Sequence, residues 1–237
     1  MPHHYFLHFY VVSVLSSVFW LFQFVTGGAA LRSLCIRNMA VGVKTGMSFE
    51  QVLLSWSLMF IQGGRRLAES VVLLKPSSST MWFVHWLLGI TFYLGMGIAV
   101  WIDGPGDMLP RESVISSIRF SAPSAKALLG VPLFLMASGI QHDCHAYLAT
   151  LPKYTLPQHP IFNTFVCPHY VAECLIYLAL AIVSAPAGQP FNRTMFSAFV
   201  FVLVNLSVTA SNTKAWYEKK FGKDKVTHRW IMVPSVW

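Results

Sequence analysis

An all-α, polytopic integral membrane helical bundle of about six transmembrane helices is the fold class this sequence predicts, and three observations predict it. Hydrophobic residues fill 55% of the 237 positions and charged residues only 11%. Mean hydropathy is +0.55, which excludes an ordinary soluble domain and a disordered chain. The apolar residues gather into six stretches, Tyr5–Thr26, Phe49–Leu74, Met81–Ile102, Ala127–Leu151, His169–Ala187 and Thr194–Asn212, each near the ~20 residues a helix needs to cross hydrocarbon. No repeat and no long linker separates them, so a single membrane domain over 1–237 is expected.

Each stretch has its own justification. The first is aromatic throughout, lacks a basic leader and outruns a signal-peptide core, so it reads as a retained helix. The second and third are followed by punctuation; Asp103–Pro123, with Gly104, Pro105, Gly106, Pro110 and Pro123, reads as a loop. The fourth ends in Gln141-His142-Asp143-Cys144-His145, and Pro152–Pro168 reads as the next loop. The fifth opens after Pro168, a favoured first-turn residue. The sixth ends at Asn212, where a basic tail begins. Basic residues divide almost evenly between the two sides, but Lys219, Lys220, Lys223 and Lys225 tip the C-terminus toward the cytosol. The net charge of +8 is therefore a membrane-topology signal, and nucleic-acid binding is not expected. Nothing calls for an obligate protein partner. Cys35, Cys144, Cys167 and Cys174 form no Cys-x-x-Cys pair and read as packing residues. The sequon Asn192-Arg193-Thr194 abuts the last stretch and is expected to be unused.

Alternation of the six stretches brings nearly all of their polar groups to the side that holds both termini. A charge at a helix centre costs about 2.5–3.5 kcal/mol even on the lenient insertion scale, so such groups normally face a protein interior or a wet cavity. Gln62, Arg66 and Glu69 fall at i, i+4 and i+7, with Arg65 beside them. Two arginines against one carboxylate suit a phosphate-bearing ligand, since guanidinium is planar and always charged; the plainer alternative is an Arg–Glu pair snorkelling at the interface. Gln141 and His145 repeat the i, i+4 spacing. His142 and His145 at i, i+3 make a poor metal template, so no metal is expected, and hydrogen bonding to a ribose or amide competes with an interhelical network. His169 and Glu173 open the fifth helix, where a glutamate also answers the helix dipole. Asn212, Thr213, Lys214 and Tyr217 form either a second hand on the same ligand or a basic tail on the anionic leaflet.

These runs resemble a known family. Gln141-His142-Asp143-Cys144-His145, Tyr154-Thr155-Leu156-Pro157, Cys167-Pro168-His169-Tyr170-Val171-Ala172-Glu173 and Trp216-Tyr217-Glu218-Lys219-Lys220-Phe221, with the Arg229 to Pro234 ending, are similar to the steroid 5-alpha-reductase family. Arg65-Arg66-Leu67-Ala68-Glu69 and His8-Phe9-Tyr10 resemble its polyprenol reductase branch. The resemblance implies a multi-pass enzyme of the endoplasmic reticulum that uses NADPH to saturate a carbon–carbon double bond of a long-chain isoprenoid, supporting dolichol synthesis for protein glycosylation. It implies that the catalytic and cofactor region is about 127–237, that His169 and Glu173 stand at the family's cofactor-contacting Asn and Glu, and that Gln141 and His145 are its helix-four pair. Tyr154, Arg66 and Tyr217 fall on further cofactor-side positions, with Arg65 and Lys214 beside them. Lys214 stands where polyprenol reductases carry histidine. The family has a further helix ahead of His8-Phe9-Tyr10, seven in all, and the chain is expected to start without it, as a truncated or alternative product. The steroid enzymes' substrate-facing Gln-Glu pair is not recognisable, which leaves His8 as the nearest candidate.

Hydride addition to an alkene needs an electron sink. A conjugated carbonyl provides one: hydride adds at the β carbon and a donor stabilises the resulting enolate. A free allylic alcohol offers none, so polyprenal is the expected substrate rather than polyprenol. Tyr10, His8 and Gln62 are the candidate donors. The alternatives are a membrane S-adenosylmethionine methyltransferase, a 3-oxo-steroid reductase, and an inactive paralogue.

Overall fold

A computed structural model of the protein describes residues 3–40, 46–73, 80–104 and 122–233. Pro105, Gly106 and Pro110 of the expected loop, and Leu74 and Pro234, lie outside the described residues. The six apolar stretches form the helices α1 (Phe6–Thr26), α3 (Phe49–Val72), α4 (Phe83–Ala99), α5 (Ala125–Thr150), α7 (Pro168–Val183) and α8 (Arg193–Phe221). Local chemistry sets their ends. Ser48 and Ser124 cap α3 and α5 by accepting from Gln51 N and Ala127 N. Pro168 begins α7. Gly27, at φ 58°, takes the left-handed conformation that stops α1.

Two helices were not expected. Ala29–Ala40 forms α2, whose Leu31 and Cys35 are buried while Ile36 is exposed; at 12 residues it is too short to give a spanning signal. Pro160–Thr164 forms a single turn, α6, inside the segment read as a loop. The last helix is the third correction: it passes Asn212 and runs to Phe221, ending at Gly222. The polar residues after Asn212 mark an exit from the bilayer, but lysine, alanine and glutamate are good helix formers and carry the helix onward.

By length and apolar composition α1 and α8 suffice to cross a membrane, and α4 and α7 are shorter apolar helices. With α3 and α5 they form one membrane bundle. The most extensive packing is α5 on α7, followed by α7 on α8 and by α1 on α3 and α4. Close approach of α1 depends on small residues: a Cβ at Gly63 would stand 2.6 Å from Ser13 Oγ, and one at Gly97 would stand 2.1 Å from Ser16 Oγ. Trp101 is fully buried against Trp20 and Phe24. Leu15 and Phe22 of α1, Leu128 and Leu135 of α5, and Val204 and Val208 of α8 are exposed, as a lipid-facing surface requires. All four cysteines are free and buried.

Both ends of the bundle are tied. At one, Lys126 Nζ donates to Ala185 O (2.9 Å) and Pro186 O (2.5 Å), and Gln51 Nε2 donates to Val183 O and Ala185 O (2.7 Å each), satisfying carbonyls that the end of α7 leaves open. Asn192 is wholly buried there; its Oδ1 caps α8 by accepting from Met195 N (3.0 Å), and its Nδ2 donates to Ser184 O (3.1 Å). At the other end the C-terminal strip crosses the α5–α7 connection: Val166 N donates to Trp230 O (2.9 Å), and buried Arg229 donates to Pro157 O (3.0 Å).

Candidate active site

Six helices meet around a cavity of about 500 Å³, five of them near an end and α8 along its middle turns. The first turns of α1 supply Phe6, Phe9 and Tyr10, and the last turns of α3 supply Arg66 and Ser70. From α5 come Gln141 and His145, and from α7 come His169, Tyr170, Glu173 and Tyr177. The remaining wall belongs to α4 and α8. Antiparallel alternation explains the convergence: α1, α4 and α7 begin where α3 and α5 end, and α8 passes alongside before running on to Phe221.

Behind this wall lies a continuous polar network. Glu69 is buried and receives four groups: Arg65 and His142 on Oε1, Arg66 and His145 on Oε2, with both histidine contacts at 2.8 Å. Arg66 also donates to Tyr10 Oη (2.7 Å), and its guanidinium lies 4.8 Å from that ring's centroid. His145 Nδ1 is 2.8 Å from both Arg66 Nη1 and Glu69 Oε2, so it either accepts from the arginine or donates to the carboxylate. Arg65 Nη2 donates to the carbonyl oxygens of Gln62 (2.9 Å) and Gln141. That fixes both amides with their nitrogens turned to Glu173 Oε2, which accepts from Gln141 Nε2 and, at 3.4 Å, from Gln62 Nε2. Glu173 is thus held by carboxamides, whereas Glu69 is held by cations.

The network gathers Tyr10, Gln62, Arg65, Arg66, Gln141, His145, His169 and Glu173 into one place, with Gln62 and Arg65 behind the cavity wall. The two arginines, expected to offer surplus charge to a phosphate, are already committed to Glu69, to two glutamine carbonyls and to Tyr10. His8 lies outside the cavity, on the opposite side of α1 from Phe6, Phe9 and Tyr10, where its Nδ1 accepts from Trp86 Nε1 (3.3 Å). Tyr154, Lys214 and Tyr217 do not line the cavity. Tyr154 is 69% exposed and has a left-handed backbone (φ 64°). Lys220 Nζ stands 4.3 Å from its ring centroid and 4.9 Å from that of Trp216. Lys214 Nζ donates to Arg229 O (2.8 Å), tying the tail down.

Sequence reading missed several lining residues: Tyr93 and His85 on α4, Tyr170 and Tyr177 on α7, and Asn205 and Thr209 on α8. A signal existed for some. Tyr170 and Tyr177 lie three before and four after Glu173, hence on its face of the helix, and Asn205 and Thr209 are a polar i, i+4 pair in an apolar run.

Residues 118–237 match the family model for 3-oxo-5-alpha-steroid 4-dehydrogenase. The chain belongs to this family, the steroid 5-alpha-reductases, oxidoreductases acting on carbon–carbon bonds. Among its relatives, polyprenal reductase 2 of Oryza sativa subsp. japonica is 26% identical over 100% of this chain and 79% of the rice protein. Polyprenal reductase of Saccharomyces cerevisiae is 30% identical over 76% of this chain and 62% of the yeast protein. That of Danio rerio is 28% identical over 98% and 78%.

Proposed function

We propose that the chain reduces polyprenal to dolichal, saturating the double bond conjugated to the aldehyde with NADPH, in the endoplasmic-reticulum membrane with its C-terminus in the cytosol. The observation that carries this reading is the meeting of a phenol, a carboxylate and an apolar wall around one cavity, in a chain similar to polyprenal reductases.

NADPH, when bound, supplies the hydride. The residues present suit such a ligand: His169 Nδ1 is buried without a partner among the described residues and borders the cavity beside Glu173, a donor and acceptor set matched to nucleotide hydroxyls and amide. With Arg65 and Arg66 occupied, the reading gives the phosphate-bearing end of the cofactor to Tyr154, Trp216 and the exposed lysines of the α8 terminus, where aromatic faces and cations are available.

Of the three candidate donors the reading selects Tyr10. Its oxygen accepts from Arg66, which leaves its own proton for the aldehyde oxygen, and a cation behind the phenol favours donation as enolate charge develops. His8 faces away, and Gln62 is spent on holding Gln141 and Glu173. Arg65 acts through the two glutamines as a positioning residue, holding Glu173 in place.

The test uses purified protein in nanodiscs with NADPH. Polyprenal should be consumed with loss of its conjugated-enal absorbance, while the matching polyprenol and a 3-oxo steroid stay unreduced. Direct reduction of polyprenol, or preference for the steroid, would overturn the assignment.

A further inference from the structure

The cavity is not enclosed equally on all sides. Its lining residues from α1, α3, α5 and α7 are buried or half-buried. Every exposed lining residue comes from α4 (His85, Leu88) or α8 (Phe201, Asn205, Thr209), two helices that meet only lightly. His85, Leu88 and Phe92 follow i, i+3, i+7, and Phe201, Asn205 and Thr209 follow i, i+4, i+8, so each helix turns one continuous face to the opening. The two faces grade in the same direction. His85, Asn205 and Thr209 lie toward the helix ends that hold the polar network; Leu88, Phe92 and Phe201 lie deeper. At the deep end Phe92 and Phe201 stack, with ring centroids 5.4 Å apart and planes 27° apart, bridging the slot. Phe201 is 41% exposed and Leu88 46%, so each lines the cavity on one side and meets the membrane on the other.

We propose that this slot between α4 and α8 is the groove for the substrate's polyisoprenoid tail, with the Phe92–Phe201 pair as its gate; the proposal rests on the polyprenal reading. A cavity of about 500 Å³ encloses a compact ligand, whereas a chain of many isoprene units must leave it. Leaving by the polar end would expose hydrocarbon to water. Leaving between α4 and α8 carries it past apolar side chains into lipid, and Leu87, Leu94, Val200 and Val204 on the outer faces of the same helices are exposed for that environment. The gradient from Asn205 and Thr209 to Phe201 matches an aldehyde head and a hydrocarbon tail, and does not match a uniformly apolar partner helix.

The experiment measures reduction of a long-chain polyprenal and of a two-isoprene enal by the whole chain in nanodiscs. Leu88→Trp and Phe201→Trp narrow the slot at exposed positions, where bulk is tolerated by the fold. The long-to-short ratio of kcat/KM should fall about tenfold or more in both variants; an unchanged ratio would overturn the groove. Wild-type inactivity toward both enals would defeat the polyprenal reading alone. The groove is then judged by an unreactive polyprenyl probe carrying a diazirine at its far end. Labelling of α4 and α8 supports it. Labelling confined to the outer faces of α1 and α5, or cross-linking of α4 and α8 to a second copy of the chain, rejects it.

Discussion

Glu69 and Glu173 stand in one polar network but at centres of opposite construction. Around Glu69, on the seam of α3 and α5, two guanidiniums and two imidazoles close on a buried carboxylate. Around Glu173, on the cavity wall of α7, the carboxylate's hydrogen bonds among the described residues come from the amides of Gln62 and Gln141. Partners that close on both oxygens of a carboxylate leave it little to offer a ligand, whereas the two amides reach Oε2 and fix Glu173 on the cavity wall. The first centre therefore ties α3 to α5, and the proposed chemistry falls to the second. Residue type does not distinguish them; the partners do.

The comparison breaks most sharply at Glu69. Glu69→Ala leaves Arg65 and Arg66 without their carboxylate partner, and removing one member of a buried ion pair costs about 3–5 kcal/mol. Thermal unfolding in detergent should show a large drop in midpoint with poor yield; a midpoint near wild type would mean that Glu69 is not the network's keystone. Next comes Tyr10→Phe. It keeps the ring under Arg66 and removes one donor to the developing oxyanion, so kcat should fall about 10²–10³-fold with the unfolding midpoint little changed. Equal turnover would return the donor role to Gln62 or His8.

Glu173→Gln sharpens the contrast with Glu69. Loss of a charged hydrogen-bond acceptor costs about 1.5–3 kcal/mol and should appear in kcat/KM and cofactor binding, while the fold tolerates an amide among amides. A stability loss as large as that of Glu69→Ala would make the two centres alike. The smallest effect belongs to the α8 terminus. Lys220→Gln removes an exposed cation from Tyr154 and Trp216, an interaction of about 0.5–1 kcal/mol, and should raise the NADPH KM a few-fold more than the NADH KM. Identical shifts for both cofactors would remove the platform from phosphate recognition.

The six spans and the convergence of their polar ends are legible in the sequence because both rest on quantities it carries directly, hydropathy over about 20 residues and the side reached by alternation. The i, i+4 spacing of Gln141 and His145, and of His169 and Glu173, locates the network equally well. What escaped depends on which neighbour arrives. Tyr93 and Tyr177 look like core aromatics until α4 and α7 are seen on two sides of one cavity. The arginines look available until Glu69 is seen receiving both. His8 and Tyr10 are two residues apart, yet only one faces inward, because the face is chosen by what α1 packs against. The extension of α8 to Phe221 was hidden because leaving the bilayer and ending a helix are separate events.

Asn192 has a consequence for anyone mapping this chain by glycan addition. Its amide nitrogen already donates to Ser184 O, its oxygen caps α8, and the residue is wholly buried; an attached oligosaccharide would have to displace the turn that starts the last helix. The other sequon, Asn205-Leu206-Ser207, lies inside the apolar run of α8, so the native chain should migrate identically on a gel before and after endoglycosidase treatment. That silence makes it a clean background: an acceptor site engineered into an exposed loop would give a single interpretable mobility shift, and so report which face of the bundle the glycosylating enzyme reaches.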